Sequence, residues 1–157
     1  MTVKCYVKIV GTHQGDFKGD STDAGHKDAI EGLSVDYVLT RPLDDSSGHT
    51  AGRPQHVPFQ ITMLSGPATP QLLAAMLTDE QLKSVTIDFA QPAPKQGEVV
   101  VVESILITDA QIVDFQHHLD TDPATASGRP LDRVALRFHK FQITNTTSKT
   151  TTTDTWQ

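Results

Sequence analysis

The sequence predicts a mainly β fold that carries one docked α-helix, and three observations lead there. Segment after segment alternates apolar and polar residues at period two, the pattern of strands with one buried face. Glycine- and proline-rich stretches punctuate those segments. Only Thr69-Pro-Gln-Leu-Leu-Ala-Ala-Met-Leu-Thr78 reads firmly at the helical period, with Leu72, Leu73, Met76 and Leu77 as its apolar stripe. Thr69 suits the cap of the first turn, and Pro70 the first helical position, where its missing N–H costs nothing. A lone amphipathic helix cannot bury its own stripe, so this one must lie on a sheet built by the rest of the chain.

Taken in order, Val3, Cys5, Val7 and Ile9 alternate with Lys4, Tyr6 and Lys8 and predict a half-buried strand. Gly11 to Gly25 is a polar, glycine-rich connection. It is not a calcium loop, because Lys18, Ser21 and Lys27 stand where Asp or Asn, Gly and Glu are required. Ala29 to Leu39 predicts the next strand. Leu33, Val35, Tyr37 and Leu39 share a face there, and Ile30 is out of phase across Gly32, where a bulge would restore the register. Arg41 to His56 is nearly free of large apolar residues and is at the upper limit for a loop in a compact domain, so it is expected to be functional, contact-making or disordered.

Val57, Phe59, Ile61 and Met63 form a strand with an early proline, and Ser65 to Ala68 turns into the helix. Val85, Ile87 and Phe89 predict another strand, and Gln91 to Gly97 a hairpin connection. Val99 to Thr108 is apolar on both faces, which predicts a central strand with the helix covering one side. Gln111 to Gln116 continues it weakly, and His117 to Asp132 reads as a polar connection. Val134, Leu136 and Phe138 are out of phase with Phe141 and Ile143, which asks for a bulge near His139 and Lys140. The threonine-rich tail from about Thr146 ends at Trp156, an aromatic expected to dock on the body or a neighbour.

Composition narrows the function. At 157 residues the chain is expected to be a single domain that buries roughly 70% of its unfolded surface. A hydrophobic fraction of 37% with 6% aromatics is low for a compact monomer. Two readings stand: long polar loops on an ordinary core, or a body that completes its burial in an assembly. Net charge −6 with thirteen scattered Lys and Arg argues against nucleic acid as a partner. One cysteine excludes an internal disulfide and any multi-cysteine metal cluster, and Cys5 reads as a buried strand thiol. No leader-like stretch opens the chain and no window approaches the ~18 apolar residues of a membrane helix. The expectation is a chain that begins in the cytoplasm, with no membrane insertion.

The search for chemistry finds little. Among seven histidines no His-x-His or His-Glu-x-x-His spacing occurs, and the adjacent His117 and His118 would point to opposite faces of a strand. Phosphate-cradling, dinucleotide and nucleophile-elbow motifs are missing. Asp120-Thr-Asp122 stands in a Pro/Gly loop rather than after a hydrophobic strand. Neither catalysis nor a cofactor has support.

An ordered set of short motifs nevertheless resembles a known family. Val7-Lys-Ile-Val-Gly11 and Gly25-His-Lys-Asp-Ala-Ile30 come first. Gly48-His-Thr-Ala-Gly-Arg-Pro-Gln-His56, the Pro70-Gln-Leu-Leu helix and Lys83-Ser-Val-Thr-Ile-Asp-Phe89 follow. Ile105-Leu-Ile-Thr-Asp-Ala-Gln-Ile112, Arg137-Phe-His-Lys-Phe-Gln-Ile143 and Asp154-Thr-Trp156 complete it. The set resembles the Hcp family (haemolysin-coregulated protein), the tube subunit of type VI secretion systems, across essentially the whole chain. Met63-Leu-Ser-Gly-Pro-Ala and Gly32 depart from its usual pattern.

The resemblance implies a small β-barrel of two antiparallel sheets with one flanking α-helix, related to phage tail-tube folds. It implies a structural protein, not an enzyme, that forms a homo-hexamer with head-to-tail ring stacking. Its partners would be the type VI sheath, tip and baseplate proteins and small effector cargo in the ring's lumen. It would be cytoplasmic before firing and then secreted without a cleaved signal peptide. The family's extended loop reaches a neighbouring subunit or ring, which assigns assembly to Arg41, Asp44, Asp45, Ser46, Ser47, Gly48, His49, Thr50, Gly52, Arg53 and His56. The absence of residues beyond Gln157 argues against a toxin-fused form. The alternative is a monomeric β-barrel that binds a small ligand, or a cupin-like metal protein, which needs histidines converging on inward strand positions.

Overall fold

In the computed structural model, residues 4–22, 26–49, 52, 54–92, 99–119 and 130–155 are described. The first strand, β1, is Lys4–Gly11, and Gly15–Asp16 (β2) folds back onto its end, Val10 opposite Asp16. β3 is Ile30–Asp36, and the short β4, Leu39–Thr40, and β5, Gln55–His56, pair only with each other. β6 is Phe59–Leu64 and the helix α1 is Thr69–Thr78. β7 (Leu82–Pro92), β8 (Val99–His118), β9 (Leu131–Arg137), β10 (Lys140–Asn145) and β11 (Thr150–Thr155) complete the order.

Neighbouring strands run antiparallel in the order β11-β10-β8-β7-β1-β3-β6-β9, and β9 pairs again with β8. Six strands, β8-β7-β1-β3-β6-β9, thereby close into a barrel with no free edge. The expected barrel is achieved because β8 is twenty residues long and serves two partners in succession. Its first half pairs with β10, Thr108 opposite Lys140, and its second with β9, Gln111 opposite Arg137. The hydrophobic interior is filled by alternate residues of each strand, among them Val7, Ile9, Phe59, Ile61, Met63, Val85, Ile87, Ile107, Val134 and Leu136.

The bulge expected at Gly32 is present: the register against β6 shifts between Gly32 and Ser34. Glycine suits the place, because a Cβ there would lie 2.7 Å from Cys5 Sγ and one of the two would have to shift. Cys5 itself is buried, and that burial, with Asp88 adding repulsion, pushes its pKa up to about 12, so the thiol stays protonated and inert. The phase change after Phe138 is a break between two strands and not a bulge within one. The His139 N–H bonds to the Thr108 carbonyl at 3.2 Å, and Phe138 and Phe141 both remain in the core.

Further expectations are corrected. α1 buries Ala68, Leu72, Ala75 and part of Met76 against the sheet, and leaves Leu73 and Leu77 exposed. The stripe is therefore i, i+4, i+7 and i+8, with alanines that let the helix lie close to β8. Thr69 does not cap: Ala68 stands at the N-cap without a side-chain bond, and Thr69 turns to Asp132 instead. β8 is not covered on both faces, because Leu106 is exposed on the side opposite Ile105 and Ile107. β1 is not half exposed at Tyr6, which is buried beneath Ala29 and Ala90 in a small core outside the barrel. Finally, the polar stretch expected from His117 begins later, since His117 and His118 still belong to β8, and much of the polar tail is strand β11. Trp156, with the rest of the 93–98 and 120–129 connections, lies outside the described residues.

Glu80 fastens the far end of the helix. Asp79 takes a left-handed conformation (φ 56°) and ends α1, and the Glu80 N–H bonds back to the Ala75 carbonyl at 2.9 Å. The buried Glu80 carboxylate accepts from the N–H groups of His13 (3.1 Å) and Gln14 (2.9 Å) and from the Gln14 amide (3.1 Å). Burial raises its pKa, but these donors outweigh burial and hold it below the ordinary value of 4.5. A lowered carboxyl pKa stabilises the fold fully above the ordinary value, and that contribution is lost as pH falls through the folded one. Glu80→Gln is expected to cost about 2 kcal/mol near neutrality and to flatten the acid limb below pH 4.5. Urea midpoints measured against pH check this; parallel acid limbs in both proteins would reject it.

Candidate assembly surface

The stretch from Arg41 to His56 is an arm rather than an open loop. Leu39 pairs with His56 and Thr40 with Gln55, and the Val57 N–H bonds to the Val38 carbonyl at 3.2 Å. At the tip the Asp44 N–H reaches the His49 carbonyl at 2.7 Å and the Gly48 N–H the Asp44 carbonyl at 2.8 Å. Asp44 Oδ1 accepts from the Ser46 N–H (3.0 Å) and hydroxyl (2.8 Å), a local turn that Asp followed by Ser supplies readily. The Ser46 donors, helped by Ser47, hold the Asp44 carboxyl below its usual range.

The arm brings Arg41, Asp44, Asp45, Ser46, Ser47, Gly48, His49 and Gly52 together on an exposed projection. Thr50 and Arg53 lie outside the described residues, and His56 is described through its place in β5. The polar candidates decorate the tip, while the base carries apolar side chains that sequence reasoning passed over. Val38, Leu39 and Val57 sit where the arm leaves the barrel, and Leu43 is 63% exposed. On the helix, Leu77 is 76% exposed and Leu73 nearly half exposed. Such side chains gathered at two places on one chain are the composition of protein–protein contacts. A stripe of four leucine-class residues on a ten-residue helix, wider than one buried face needs, was the available signal. A third feature is β11, an outer strand of the sheet whose six residues are all exposed. An outer strand offers main-chain N–H and C=O groups to a partner strand.

Two polar clusters stand apart from this surface among the described residues. His26 Nε2 faces Asp88 at 3.2 Å, and Ser104 donates to the other Asp88 oxygen at 2.7 Å. His117 Nδ1 faces Asp132 at 2.7 Å. Each imidazole meets a single carboxylate, and among the described residues no group of three His, Cys, Asp or Glu gathers. No described helix is long and apolar enough to cross a membrane.

Comparison with known proteins identifies the family. Residues 6–144 match the family described as "Type VI secretion system effector, Hcp". The "Major exported protein" of Pseudomonas aeruginosa is 29% identical over 170 residues, covering all of this chain and 97% of that one. Among solved structures, one titled "Crystal structure of Hcp protein" superposes with a TM-score of 0.89 at 24% identity, over 99% of both chains. The Hcp1 protein from the E. coli EAEC 042 pathovar gives 0.87 at 21%, over 99% and 100% of the two chains. The secreted protein Hcp3 of Pseudomonas aeruginosa gives 0.78 at 23%, over 99% of each. At these identities the structural likeness speaks for the fold.

Proposed function

The chain belongs to the Hcp family of type VI secretion proteins, and from that premise we propose that it is a structural subunit of the secretion tube, closing into hexameric rings that stack head to tail. The observation that carries the reading is the arm. It is a β-ribbon with its own short sheet, an exposed apolar base and a polar tip, and its two short strands pair only with each other. Rings and stacks need heterologous contacts, in which one face of a subunit meets a different face of the next. The arm base, the outer leucines of α1 and the open edge of β11 are three such dissimilar faces. In this reading the stacked tube leaves from the cytoplasm, and the Pseudomonas aeruginosa relative carries the name of an exported protein. Sheath, tip and baseplate proteins are then its partners, and small effectors travel in the lumen.

Static light scattering of the purified protein at micromolar concentration tests this, with a hexamer as the expected result and a monomer alone as the result that overturns it. Removal of residues 46–52 is expected to leave a cooperative melt and hexamers intact while abolishing longer stacks in negative-stain images. Loss of the cooperative melt would make the arm part of the fold instead.

A further inference from the structure

We propose that a cleft on the outer face of β1 binds a small organic anion with an apolar body. Residues 16–19 and 26–29 cross that face, held together by bonds from the Gly19 N–H to the Asp28 carbonyl (2.9 Å) and from the Ser21 N–H to the Ala29 carbonyl (3.1 Å). Between them and the barrel lies a cavity of about 560 Å³, within the range of small-molecule sites. Lys8 enters it from β1, Lys18 from the stretch after β2 and Lys27 from the turn before β3. Three lysines from separate stretches thus line it beside Asp16 and Asp28, one positive charge in excess on a chain of net charge −6. Phe17 and Pro67 supply an apolar wall beside them.

The volume and that wall decide the ligand class. A bare inorganic ion would engage only the lysines and leave the apolar wall wet, whereas a ring or short chain bearing one anionic group uses both. Lys8 is shared with an adjoining cavity of about 90 Å³ lined by Tyr6, His26 and Asp88. His26 stacks on Tyr6 at 4.1 Å, and its buried Nδ1 has no hydrogen-bond partner among the described residues. Carboxylate and phosphate share the required chemistry.

The test is a fluorescence titration of the 157-residue protein with 1-anilinonaphthalene-8-sulfonate, displaced by phenyl phosphate or benzoate. Expected is one saturable site per chain, competed by at least one displacer, the better competitor identifying the anionic group. The Lys8→Ala, Lys18→Ala, Lys27→Ala triple variant should bind about tenfold more weakly, and neutral N-phenyl-1-naphthylamine likewise. Lys18→Glu alone, at an exposed position, gives a second variant should the triple substitution melt early. Unchanged affinity in a folded variant, equal binding of the neutral amine, or no competition from either displacer would overturn the proposal.

Discussion

Gly19→Ala is expected to lower the stability of this fold by at least about 3 kcal/mol, which for a chain of this size is a drop of about 6–12 °C in the melting midpoint. A Cβ at Gly19 would stand 2.1 Å from both the carbonyl carbon and oxygen of Ala29 and 2.5 Å from the Ile30 nitrogen. All three are main-chain atoms, so no side-chain rotation relieves the contact. The backbone at Ile30 cannot retreat either, because it opens β3 and is paired with Val7 of β1. The segment must therefore lift from the barrel, taking with it the Gly19–Asp28 and Ser21–Ala29 bonds and the cover over Tyr6. Gly15→Ala is the contrasting case. Gly15 has φ +73° but nothing within 4 Å of a Cβ, so only the backbone strain of about 1–2 kcal/mol is expected. Thermal denaturation followed by circular dichroism compares them. Equal, small losses for both would mean that the close approach at Gly19 is not a constraint.

This contact also shows what period and composition convey and what they leave out. The strands whose alternate residues fill the barrel were legible because burial on one face imposes period two on Cys5, Val7 and Ile9 or Phe59, Ile61 and Met63. The bulge at Gly32 was legible for the same reason, as a break in that period. Features that depend on a second layer left no periodic trace. Tyr6 occupies a position that reads as solvent-facing, and it is buried only because residues 26–29 return across it. The helix stripe was misjudged by one position, since leucine reads as core wherever it stands, whereas the sheet accepted Ala68 and Ala75 and left Leu73 and Leu77 outside. The arm was visible as a polar stretch too long for a plain loop. Its ribbon pairing and apolar base were not, because two-residue strands carry no period and Leu39 and Leu43 stand singly among polar residues. The outer cleft was invisible for a simpler reason: Lys8, Lys18 and Lys27 are brought together only by the fold.

The second large effect is expected at Asp132, where Asp132→Ala should cost about 3 kcal/mol in urea denaturation. Asp132 lies on β9 opposite Met63 of β6 and His117 of β8, and is 1% exposed. One carboxylate oxygen meets His117 Nδ1 at 2.7 Å, and the other accepts the Thr69 hydroxyl. Thr69 accepts in turn from the Gly66 N–H at 3.1 Å and hydrogen-bonds the Ser65 hydroxyl at 2.8 Å. A single buried carboxylate thus ties the barrel's closing strand pair to the turn and first residue of α1, which is why Thr69 is spent there and not on capping. Truncation takes the acceptor from the Thr69 hydroxyl and from the Ser65 chain behind it. Asp132→Asn keeps the shape, with an amide oxygen for Thr69 and an N–H donor for an unprotonated His117 Nδ1, so about 1 kcal/mol is expected. His117 is half exposed and rehydrates when its partner goes, so His117→Ala should cost less than Asp132→Ala. In the Asp132→Ala background it should then cost almost nothing, a coupling of about 1 kcal/mol in the double-mutant cycle. Additive losses would uncouple the two residues, and a parental midpoint for Asp132→Ala would mean that the helix is held on the barrel by its apolar face alone.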